Sequence, residues 1–189
     1  KYAFCALASS ETNCKEFLRP YLAEAVASVC GDDVELCAVC VAKGMEFLNA
    51  PYETIQKVTE DLVRSDGERY CFSKSQEEVD TLLWEAQLKY VFPLVENYRR
   101  YFVKKYYAFI KAALPINNGY GDQVMVPEEA ELGNLMYLVE RGGIPVSAEE
   151  SMELKRYRKA RNELAHMNLL SNEELCVILK AGKHKTASD

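Results

Sequence analysis

The stretch Arg158-Lys159-Ala160-Arg161-Asn162-Glu163-Leu164-Ala165-His166 decides how the chain is read. It places guanidinium cations, an amide and one of only two histidines on one helix. At about 100° per residue over 150–168, Tyr157, Ala160, Leu164 and Met167 gather within about 80° and form the stripe expected to be buried. Arg158, Arg161, Asn162, Ala165 and His166 occupy an arc of about 140° on the other side. Asn162 falls one turn from both Arg158 and His166, Arg161 flanks them, and the small Ala165 leaves room between the larger groups.

Working outward, helical periodicity runs through nearly the whole chain, so the expected fold class is mainly all-α. Ser147-Ala148-Glu149-Glu150 opens the helix just described with a capping box, in which hydroxyl and carboxylate satisfy each other's free backbone donors. Ser75-Gln76-Glu77-Glu78 and Ser171-Asn172-Glu173-Glu174 are two further boxes. The helix opened at Ser75 is expected to kink or break at Pro93 and to resume over 94–114. The last helix is expected to close at Gly182. Earlier, the spacing predicts helices over 11–30, 33–48 and 51–64, the first closed by Gly31 and the last admitting Pro51 in its first turn. Glu68 to Ser73 reads as a short strand, which would make a winged-helix-like piece with the helices around it. Pro115 to Gln123 is a polar loop and the best internal boundary, followed by a helix over 127–141.

Composition narrows the function classes. The 189 residues are 49% hydrophobic and 28% charged, enough for a sizeable core under a charged surface. A formal net charge of −6 speaks against a general nucleic-acid binder and leaves room for local phosphate sites. No apolar run approaches the roughly 20 residues that span a bilayer, and Tyr2 to Ala8 is too short for a signal peptide. The chain begins at Lys1 without Met, which suggests a fragment lacking an N-terminal partner domain. Seven irregularly spaced cysteines suit a reducing, cytoplasmic setting. Cys37-Ala38-Val39-Cys40 has the spacing of a metal or redox pair, but its apolar face favours buried structural thiols. Arg99, Arg100, Lys104 and Lys105 beside Tyr98, Tyr101, Tyr106 and Tyr107 offer two readings, an RNA-stacking surface or core aromatics with solvated cations. Trp84 is expected to anchor the core, and His184, in the polar tail, to have no role.

Cleaving RNA through its own 2′-hydroxyl needs a proton acceptor, a proton donor and a cation at the phosphoryl oxygens. Imidazole exchanges protons near neutral pH. Guanidinium keeps its charge and grips two phosphate oxygens at once. Asn can orient either partner. One helix brings one histidine, so two-histidine catalysis requires a second copy, with two such faces meeting on a dimer axis. The bland alternative is a solvated face, with these cations balancing Glu149, Glu150 and Glu153 at helical spacing.

The sequence Arg161-Asn162-Glu163-Leu164-Ala165-His166 resembles the Arg-x-x-x-x-His motif of HEPN domains, including the polar residue usual directly after the Arg. Leu154 to Arg161 is similar to the helix leading into that motif. The resemblance implies a dimerising all-α bundle of four or five helices. It also implies a metal-independent endoribonuclease acting in host defence, toxin–antitoxin pairs or RNA processing. Arg161 and His166 would be catalytic with Asn162 in support, and no metal or other cofactor is expected. The neighbouring cations Lys155, Arg158 and Lys159 are the candidate substrate contacts. The HEPN-like bundle is placed over 75–182, after an N-terminal helical annex at 1–74 and before a disordered tail at 183–189. Expected partners are RNA, a second copy, and an antitoxin or absent N-terminal regulatory domain such as an ATPase or sensor; no membrane partner is expected. A different class of reading stays open, a catalytically silent HEPN-like module that binds a partner protein or a nucleotide.

Overall fold

The computed structural model describes residues 1–117 and 123–186. Most of them are helical, and the fold is mainly all-α, as the periodicity predicts. The first part comprises α1 (Tyr2–Ser9), a 3₁₀ turn at Glu16–Leu18, α2 (Arg19–Cys30), α3 (Val34–Ala42), α4 (Met45–Asn49) and α5 (Pro51–Asp61). The helix expected over 11–30 starts eight residues later, because Pro20 favours a first turn and Thr12 holds a tight turn instead. The Thr12 hydroxyl donates to Ser9 O and accepts from the Cys14 N–H. The helix expected over 33–48 is split at Gly44, whose φ of +53° ends one helix and starts the next. The strand expected over 68–73 reduces to an isolated bridge between Val63 and Arg69, so no winged-helix sheet forms among the described residues.

The chain then enters α6 (Gln76–Lys105), 30 residues through the centre of the molecule. Its capping box forms as expected, with Ser75 N–H donating to Glu78 Oε2 at 2.7 Å and Glu78 N–H to Ser75 Oγ at 3.3 Å. Of the kink or break expected at Pro93, no break occurs, and α6 runs through it as one helix. Pro93 lies on the exposed side, so the Lys89 carbonyl left without its helical donor is open to water, while Val91 and Val95 stay buried on the packed side. The break comes instead at Tyr106, a buried residue whose hydroxyl donates to Glu150 Oε1 at 2.8 Å. Short α7 (Tyr107–Ala112) follows. The expected loop at 115–123 contains two short antiparallel strands, β1 (Ile116–Asn117) and β2 (Gln123–Val124), pairing Ile116 with Val124. Residues 118–122 of that loop lie outside the described residues. A 3₁₀ turn at Pro127–Glu129, α8 (Leu132–Glu140), α9 (Ala148–Ala165) and α10 (Asn172–Thr186) complete the order. Gly182 does not end α10, since a glycine lowers helix propensity without itself stopping a helix. Residues 187–189 of the expected tail lie outside the described residues.

α9 lies antiparallel on α6. Trp84 of α6 meets Leu164 of α9 at one end, and Tyr106 meets Glu150 at the other. Between them the rings of Tyr98 and Tyr157 stack at 4.0 Å and 8°. α2 packs on another side of α6, and the buried apolar residues of 1–74 and 75–182 form one continuous core. No described helix is long and apolar enough to cross a membrane.

The α6–α9 junction carries a pH signature. Hydrogen bonds from Lys105, from the Ser147 N–H of the second capping box and from the Tyr106 hydroxyl hold the Glu150 carboxyl down from 4.5 to about 2. A carboxyl depressed in the folded state contributes stability that is present above its ordinary value and is lost as it protonates. Urea midpoints are therefore expected to fall as pH drops from 4.5 towards 2. Glu150→Gln is expected to flatten that slope, and an unchanged slope would remove Glu150 as its source.

Candidate functional site

The buried stripe of α9 is Leu154, Tyr157, Ala160 and Leu164. Met167, expected in that stripe, is instead 61% exposed, because α9 ends at Ala165 and the chain reverses there. His166 caps the helix, Met167 takes a φ of +60°, and four backbone bonds close the end. Met167 N–H donates to Leu164 O at 3.2 Å and Asn168 N–H to Glu163 O at 2.9 Å, the paired bonds of a Schellman turn. The other two share the His166 N–H, which donates to Asn162 O and Glu163 O, each at 3.1 Å. That turn usually has glycine where Met167 stands, which is why its position was hidden in the sequence. A side chain in the left-handed region costs about 1 kcal/mol. Met167→Gly is accordingly expected to raise stability by about that amount in urea denaturation. Any loss of stability would show that the Met167 side chain makes a contact outweighing the backbone cost.

Around this helix end the structure exposes Arg158, Arg161, Asn162, Ala165 and His166, all within the polar arc expected. No side-chain hydrogen bond or ion pair joins Arg158, Arg161, Asn162 or His166 to another described residue. Lys155 is exposed on the same face. Lys159 differs: it sits at the edge towards α10, and its ammonium is 2.6 Å from Glu174 Oε1. It therefore already has one partner within the protein. A cleft of about 230 Å³ opens between α9 and α10, lined by Arg156, Lys159, Ala160, Glu173, Glu174, Val177 and Ile178. Arg161, Asn162 and His166 do not line it; in the single chain they stand on open surface.

Two residues of α6 fix this helix end. The half-buried Trp84 is more than a core anchor, since its indole N–H donates to Leu164 O at 2.9 Å. Gln87 accepts from Leu170 N–H at 2.7 Å and donates to Leu170 O at 3.1 Å. Gln87 was not singled out from the sequence, although a signal was there: it stands on the apolar stripe of α6, one turn from both Leu83 and Val91. A neutral amide in such a stripe needs buried partners.

The other candidates resolve differently. Arg99 is not on a solvated face: it donates to Glu128 O and Ala130 O at 2.7 and 3.2 Å and pairs with Glu96, so it fastens α6 to the turn before α8. Arg100 pairs with Glu96, and Lys105 with Glu150. Tyr98 and Tyr106 are core residues, whereas Tyr101 and Tyr107 are exposed. Cys37 and Cys40 are buried free thiols, gathered with Cys5 and Cys30 where α1, α2 and α3 meet. Hydrogen bonds from Cys30 and Cys5 hold the Cys37 thiol down to about 7, while hydrogen bonds with Cys37 and Cys40, together with burial, push Cys30 up. Among the described residues no group of His, Cys, Asp and Glu is placed to hold a metal ion. Comparison of the chain with protein-family models, with curated proteins and with solved structures returned no match.

Proposed function

We propose that the chain is a HEPN-type, metal-independent endoribonuclease for single-stranded RNA. The supporting observation is the end of α9, where Arg158, Arg161, Asn162 and His166 are exposed together, with no ion pair to another described residue, in a chain of net charge −6. Unpaired guanidinium groups beside an imidazole suit an anionic substrate. In this reading His166 moves the proton at the 2′-hydroxyl or at the leaving 5′-oxygen. Arg161 stabilises the charge that builds on the phosphorane oxygens. Asn162 orients the phosphate or the imidazole, and Lys155 and Arg158 bind the flanking backbone. The 2′-oxygen attacks phosphorus, the 5′-oxygen leaves with a proton, and the product carries a 2′,3′-cyclic phosphate. The open placement of these side chains suits a homodimer, in which a second copy supplies the opposing wall and the second histidine. A role in defence or with an antitoxin, and a cytoplasmic setting for seven free thiols, complete the reading.

The test is cleavage of a mixed single-stranded RNA pool in EDTA, with the new ends identified chemically. Cyclic-phosphate ends support the reading. The absence of cleavage by well-folded protein moves the weight to a catalytically silent module that binds a partner protein or a nucleotide. One observation favours that second reading: an apolar-floored cleft lies between α9 and α10, and His166 does not line it.

A further inference from the structure

The segment that follows His166 is held from outside its own helix. Asn172, at the start of α10, donates through Nδ2 to Leu48 O at 2.6 Å and to Asn49 Oδ1 at 2.8 Å. Gln87 holds both backbone groups of Leu170 and also reaches beyond them: its Nε2 donates to the Tyr21 hydroxyl of α2 at 3.2 Å. Gln87 and Tyr21 are each 3% exposed. Both amide protons of Gln87 therefore have acceptors, and its carbonyl oxygen has a donor. An apolar residue would fill this position of the α6 stripe equally well. It would also leave the N–H and C=O of buried Leu170 without partners, a costly arrangement.

We propose that Gln87 is a positioning residue for His166, linking the segment after that histidine to Tyr21, so that the packing of the N-terminal helices sets where the imidazole stands. Its consequence for cleavage rests on the ribonuclease reading; the coupling itself does not. Residues 1–74 thereby acquire a role that their sequence did not suggest, as the support against which the candidate site is registered. A displacement of α2, by a partner or by an adjoining domain, would reach His166 through one amide side chain.

The experiment uses the full chain with Gln87→Met, which keeps length and removes the hydrogen bonds, and Tyr21→Phe, which removes only the hydroxyl. Two readouts need no RNA: amide exchange at Leu170, and the His166 imidazole proton resonance, identified by its loss in His166→Ala. Gln87→Met is expected to speed exchange at Leu170 by about tenfold or more and to shift or broaden the His166 signal. Protection at Val95 and Phe102 should fall only by the loss of overall stability, measured separately in urea. Tyr21→Phe should give the same signs at smaller size. An unchanged Leu170 amide and His166 signal in folded Gln87→Met overturns the proposal, and Tyr21→Phe decides it by the same readouts if Gln87→Met fails to fold. Effects in Gln87→Met with none in Tyr21→Phe overturn the link to the N-terminal helices. If the wild type cleaves RNA, kcat should fall in Gln87→Met with KM kept, whereas equal kinetics in the two proteins overturn the positioning role. If the wild type does not cleave, the ribonuclease reading fails, and exchange and resonance alone decide the coupling.

Discussion

In the proposed ribonuclease, His166→Ala is expected to lower RNA cleavage by at least about 10²-fold, the usual contribution of a positioned proton-transfer group. Arg161→Ala should cost a similar factor, about 10²–10³, by removing the cation at the developing phosphorane charge. Both side chains are exposed and make no side-chain bond to another described residue. Neither change should therefore move the urea midpoint by more than about 0.5 kcal/mol in stability. This separation of activity from stability is what gives the test its force. Arg161→Lys keeps the charge and loses the two-pronged geometry, so it should recover only part of the rate. Cleavage persisting in folded His166→Ala would remove the histidine from the chemistry.

Phe102→Ala should have the largest effect on stability, a loss of about 3–5 kcal/mol. Phe102 is among the largest fully buried side chains, and its ring touches those of Tyr98 and Tyr106 at 6.1 and 4.8 Å. Tyr98 stacks on Tyr157 of α9, and Tyr106 turns the chain into α7 and bonds Glu150. Removing the ring leaves a cavity beneath the contact that docks α9 on α6. Set against a typical domain stability of about 5–15 kcal/mol, the loss is a third or more of the total. A loss below about 1 kcal/mol in urea denaturation would mean that α7 and Tyr106 collapse into the space.

The parts of the fold that were legible in advance are those governed by local chemistry. Three Ser-x-x-Glu boxes each start a helix at the expected residue, because both partners of each box lie within four residues of sequence. The apolar stripe of α9 was legible from Tyr157 through Leu164, though not at buried Leu154. What was hidden depends on the surroundings. Pro93 should break a helix considered alone, but the side on which it faces water becomes known only once α6 is packed. The reversal after His166 has no glycine to announce it, because backbone bonds and Gln87 hold Met167 in a strained conformation. Gln87 and Leu170 are 83 residues apart, and no periodicity pairs them. Lys159 looked equivalent to Lys155 and Arg158 on a helical wheel. Only the approach of α10 shows that Glu174 pairs with it.

The indole bond from Trp84 to Leu164 has an optical consequence. Trp84 is the sole tryptophan in the chain, so intrinsic emission excited at the red edge comes from one fluorophore, attached to the helix end that presents Arg161 and His166. Loosening of that end would expose the ring to water and red-shift its emission. An unlabelled protein thus reports, in a single spectrum, on the local order of the residues proposed to meet RNA.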